Sequence, residues 1–169
     1  MQNNPIDTLF KEHEIISSVI ERINTLENTW LDNSDKYKQK INNVLNFFKE
    51  YSDNFHHKKE EQILFPALEK NDNFILDDLI DELKIHHEDF REYTQEIYNN
   101  IEDNDFESSF SNLQKYCNEL LDHIAIENDE LFALSETLFS DEELETMFFN
   151  FKDIDLELGE QYKEELENF

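Results

Sequence analysis

Two stretches of this chain repeat one pattern: histidine, three residues, glutamate, three residues, Leu-Phe. One runs from His56 through Glu60 to Phe65, the other from His123 through Glu127 to Phe132. A histidine and a glutamate four positions apart share a helix face, about 6 Å apart along the axis. One imidazole and one carboxylate then reach the same small volume. Nitrogen and carboxylate donors together suit iron, manganese or zinc. The remaining four of the six histidines are His13, His57, His86 and His87.

The elements that must position these side chains follow from the 3.6-residue period of apolar residues. It predicts helices over about Asp7–Leu26, Asp35–Lys70, Phe74–Ile101 and Phe106–Leu138, with polar connections at Glu27–Asp35 and Glu102–Asp105. Pro66 is expected to kink the second helix or end it nearby. Ser140 followed three residues later by Glu143 is a capping-box pattern, and it opens a fifth helix from about Asp141. Long amphipathic helices with short connections predict an all-α fold: an antiparallel four-helix bundle with an additional C-terminal helix. The expected organisation is a single domain over residues 1–169, with the bundle at about 6–138 and the last helix at about 141–168.

Helical phase, at about 100° per residue, selects which histidines face inward. His13 aligns with Leu9, Ile16 and Ile20, and His56 with Ile41, Leu45 and Ile63, with Glu60 beside it. His87 is favoured over His86 because Leu76, Ile80 and Leu83 share its face, and His123 and Glu127 point with Tyr116 and Leu134. His57 and Glu61 fall toward the polar face. The candidate metal ligands are therefore His13, His56, Glu60, His87, His123 and Glu127. A single inward histidine is more often a hydrogen-bonded core residue. Four of them, one per helix, with two carboxylates in phase, are costly to bury without a cation. Six ligands exceed the set of an ordinary zinc site and suit two metals bridged by the carboxylates.

Composition narrows the field. The chain has 169 residues and a net charge of −28, which argues against a nucleic-acid partner or an anionic membrane surface. Fifteen phenylalanines argue against acidic disorder. A single glycine, Gly159, excludes Walker and dinucleotide-binding loops. One cysteine, Cys117, excludes an internal disulfide and any all-cysteine metal site. No Glu-x-x-His of the ferritin type and no His-Glu-x-x-His of the zinc proteases occurs. No stretch is long and apolar enough to span a membrane, and the start lacks signal-peptide features, so a cytoplasmic location is expected.

At these residues the sequence resembles the hemerythrin-like, or HHE cation-binding, family. The likeness rests on Glu12-His13, the run HHKKEEQILFP from 56 to 66, His87-Glu88-x-x-Arg91 and HIAIENDELF from 123 to 132. The resemblance implies a four-helix bundle carrying two iron ions, a di-iron centre bridged by oxygen and both carboxylates. It also implies binding, sensing or reaction with oxygen, nitric oxide or peroxide. The alternative it implies is a di-iron enzyme of peroxidase-like or iron–sulfur-cluster-repair type. An electron-donor protein is an expected partner, and the expected state is a monomer. Oxygen-carrying members have a fifth histidine one turn from the one on helix three. Here those positions are Leu83 and Arg91. One iron is therefore expected to have a vacant position, a water or another oxygen ligand in place of the fifth imidazole, and to react with oxygen rather than carry it.

Overall fold

The computed structural model describes residues 4–169. Helix α1 (Pro5–Ile23) starts where expected: the Asn4 side chain accepts from the Ile6 amide at 2.9 Å, and Pro5 occupies the first turn. Two short 3₁₀ turns lead to the second long helix. It comprises α2 (Ser34–Phe47), a π-wound stretch (Phe48–His57), a second π-wound stretch (Glu60–Leu64) and α3 (Phe65–Glu69). Helix α4 (Asp77–Glu102) is followed by α5 (Phe106–Ile126), a π-wound stretch (Glu127–Phe132) and α6 (Ala133–Leu138). Among the described residues there is no strand.

Side-chain contacts fix the helix directions. From α1 to the fourth helix they run Asn4–Glu136, His13–Asn128 and Asn24–Gln114, so the two are antiparallel. From the second helix to α4 they run Asp53–Arg91, Glu61–His87 and Glu69–Lys84, again antiparallel. The core is divided. Ile16, Ile41, Phe48, Phe90, Leu113 and Leu120 belong to one apolar cluster, and Leu9, Phe65, Leu68, Leu83, Leu131 and Phe151 to another. The histidines and glutamates form a polar layer between them. Cys117 is buried in the first cluster.

The C-terminal helix is broken. Ser140 and Glu143 form the predicted capping box at the start of α7 (Asp141–Leu158), and Gly159, with φ 88°, separates α7 from α8 (Glu160–Glu167). Glycine adopts that positive φ without the steric cost other residues meet. The pair lies against α1 and the second helix. Lys58 pairs with Glu157, Tyr162 accepts from Asn46, Tyr51 donates to Glu167, and Phe169 stacks on Phe47. Among the described residues, no helix is long and apolar enough to cross a membrane.

Candidate metal centre

The chain's two His-xxx-Glu motifs both fall where the helix winding changes. His56 is the penultimate residue of the first π-wound stretch and Glu60 begins the second, while His123 lies in the last turn of α5 and Glu127 begins the third. Part of the cause is local. Pro66 has no N–H, and its ring crowds the carbonyl four residues back, so the turn before it widens. The helix neither kinks sharply nor ends there; it continues to Glu69.

The six residues selected by spacing, joined by His57, come together in two clusters that share one carboxylate. His13, His56, Glu60 and Glu127 form one, and His57, Glu60, His87 and His123 the other. In each cluster the donor atoms lie within 4.8 Å of one another. Glu60 reaches His56 Nε2 at 3.4 Å with one oxygen and His87 Nε2 at 3.6 Å with the other. A single Glu127 oxygen lies 3.2 Å from His13 Nε2 and 3.3 Å from His123 Nε2. His87 and His123 Nε2 are 3.2 Å apart. Every one of these side chains is at most 2% exposed.

One sequence expectation is corrected. His57 does not face solvent; it is 1% exposed, with its ring stacked on His87 at 3.8 Å. A π-wound turn, with its i→i+5 ladder, rotates less per residue than the α-helix assumed from the sequence. Consecutive histidines therefore both reach the interior. The layer holds five imidazoles rather than four, and the fifth comes from the second helix instead of the third. Leu83 is buried in the apolar cluster on one side. Glu61 stays half-buried at the edge of the layer, where it accepts from His87 Nδ1 at 2.7 Å and from Arg91 at 2.8 Å. His86 stays at the rim, its side chain 30% exposed.

The outer nitrogens of His13, His56, His87 and His123 have hydrogen-bond partners, whereas that of His57 has none. His13 Nδ1 donates to Asn128 at 2.8 Å and His56 Nδ1 to Glu12 at 2.9 Å. His57 Nδ1 lies 3.6 Å from Asp53, and His123 Nδ1 lies 3.3 Å from His86 Nδ1. With Nδ1–H so engaged, Nε2 of His13, His56 and His87 presents its lone pair inward, the arrangement that orients metal-binding histidines. The inner atoms have no such partners. His13 Nε2, His56 Nε2 and both oxygens of Glu60 and of Glu127 are buried without a hydrogen bond. Leaving one such group unsatisfied costs about 1–3 kcal/mol, so a protein rarely gathers six.

Electrostatics point the same way. Burial, with neighbouring imidazoles adding to it, holds His56 well below the usual histidine range and brings His57 down to about 3. These imidazoles are neutral and available as donors at neutral pH. Burial pushes Glu60 well above the carboxylate range, and the adjacent Glu127 and Glu12 push it further. Burial also acts upward on Glu127, but His123 and His13 beside it outweigh that and hold it well below. One of the two carboxylates thus lacks a compensating positive charge, which a cation between them would supply. Cavities reach the layer from two sides. One of about 360 Å³ adjoins His13, Phe10 and Asn128. Another of about 510 Å³ adjoins His57, Phe90, Arg91 and Tyr116.

Spacing alone did not reveal His57, Glu12 or Asn128. For His57 a signal existed: a five-histidine site was one imidazole short, and only His57 and His86 were left over. No curated protein and no solved structure matches the chain. The model of the hemerythrin HHE cation-binding domain matches residues 4–135, which takes in all four bundle helices up to α6 and every residue of the polar layer. With that match over most of its length and a buried His/Glu layer of this geometry, the chain belongs to the hemerythrin HHE cation-binding family.

Proposed function

We propose that the protein is a di-iron protein that binds and reacts with a small oxidant or diatomic molecule: oxygen, nitric oxide or peroxide. The observation that carries this reading is the set of six inward nitrogen and oxygen atoms buried without partners. His13 and His56 would hold one ion and His57, His87 and His123 the other, with Glu60 and Glu127 available to both. The donor chemistry fits iron: imidazole and carboxylate only, with no thiolate. Iron held there supplies electrons and exchangeable coordination positions to the incoming molecule.

The protein's own residues support the rest of this reading. The His13 side offers two imidazoles against three on the His57 side, so an ion held there would have fewer protein donors and would exchange ligands more readily, and the smaller cavity meets the layer on that side. Phe132 stacks on His13 at 5.2 Å and Phe10 packs edge-on against Phe132, which keeps that wall apolar. Asn128, Glu12 and Glu61 fix the tautomers of three imidazoles and hold them in place. An electron-donor protein and a cytoplasmic, monomeric state complete the reading.

The test is elemental analysis with an optical spectrum after anaerobic loading with ferrous iron. Two irons per chain are expected, and one or none would overturn the di-iron reading. Mixing the reduced protein with air then separates the roles. A stable adduct that releases oxygen under vacuum marks a carrier, and sustained consumption of peroxide or nitric oxide marks an enzyme.

A further inference from the structure

Helices α7 and α8 lie beyond the matched family region, yet α7 reaches the polar layer through a chain of charged contacts. Lys59 is fully buried between the bundle and α7. Its ammonium contacts Glu12 Oε1, lies 2.8 Å from Asp155 Oδ1 of α7 and sits 3.6 Å from the centre of the Phe55 ring. The other oxygen of Glu12, Oε2, accepts from His56 Nδ1 at 2.9 Å. Lys59 therefore takes one carboxylate oxygen and leaves the second for His56.

The other imidazoles are held differently. Asn128, the neutral partner of His13, belongs to the same helical segment as Glu127. The partner of His87, Glu61, is tied to Arg91 near the surface. Only His56 is held through a buried ion triad whose last member comes from outside the bundle. Long buried cations lose position as well as charge balance when a counter-ion goes. Without Asp155, Lys59 has Glu12 as its remaining close carboxylate and draws that side chain away from His56.

We propose that α7, acting through Asp155 and Lys59, positions Glu12 as the acceptor for His56 and thereby sets the metal affinity of the His13–His56 side. Asp155, Lys59 and Glu12 are positioning residues, and the C-terminal helix pair is a control element of the centre. This rests on the two-metal reading above.

The experiment is an anaerobic titration with ferrous iron against a competing chelator, resolving both metal equivalents in each variant. Wild type is expected to bind two. Asp155→Ala and Lys59→Met each weaken one equivalent by about 10–100-fold, the usual effect of removing an orienting partner. It is the same equivalent that His56→Ala abolishes, and the other stays at its wild-type affinity. Lys58→Met, which breaks the neighbouring exposed pair to Glu157 on α7, leaves both unchanged. Glu12→Gln has one acceptor oxygen for two donors and weakens the same equivalent. Adding Lys59→Met frees that oxygen, so the double variant binds no more weakly than either single one. Wild-type affinities in both the Asp155 and Lys59 variants, equal weakening of both equivalents, or losses that multiply in the double variant would overturn the proposal. A wild type that binds fewer than two ions brings down the two-metal reading itself, and this inference with it.

Discussion

His57 has the most to answer for among the single residues. Its ring stacks on His87 in the three-imidazole cluster. His57→Ala is expected to lose one of two irons per chain, whereas His86→Ala, at the exposed rim, keeps both; elemental analysis of the two variants checks this. Asp53 supplies the pH dependence. Burial pushes its carboxyl up, but His57 and Arg91 outweigh that, so that it falls from 3.8 to about 2. A carboxyl lowered on folding binds its proton less readily in the native state than in the unfolded one. Its contribution is therefore fully present above pH ~4 and is lost as pH falls through about 2. Acid unfolding followed by circular dichroism should show wild type losing more stability over that window than Asp53→Asn does.

At the scale of helices, the winding decides what the sequence can disclose. Alternation at 3.6 residues gave the long helices and their directions, because four amphipathic faces have one economical way to bury themselves. The same period placed His13, His56, His87 and His123 toward the interior, and all four are there. It misplaced His57 because α-helical phase was carried through a stretch that is π-wound from Phe48 to His57. Lys59 and Glu12 were illegible for another reason. In a chain with 42 acidic residues a charged side chain reads as solvated, and a triad assembled from three helices leaves no trace in spacing. Gly159 marks where the last helix breaks, at φ 88°. Gly159→Ala forces a side chain into a backbone conformation costing about 1–3 kcal/mol, although nothing lies within 4 Å of the added carbon. A lower melting temperature with unchanged metal content is the expected result, since the strain falls beyond Asp155.

For the molecule as a whole, the net charge of −28 means that folding concentrates like charge. Salt screens such repulsion over about 10 Å at 0.1 M. Raising sodium chloride from about 0.02 to 0.5 M should therefore raise the melting temperature of the metal-free protein by a few degrees, with roughly 2–4 °C for each kcal/mol gained. Calorimetry at the two salt concentrations checks the sign. The single cysteine supplies a clock for the same equilibrium. Burial pushes the Cys117 thiol up to about 12, and only 4% of the residue is exposed, at the floor of a cleft between α1 and α5. A thiol so placed is alkylated slowly in the folded protein and faster when the bundle opens. Where reclosing outruns alkylation, the labelling rate therefore counts the open population. The ratio of labelling rates without and with iron then reads, from one sulfur atom outside the polar layer, how tightly the ions lace the four helices together.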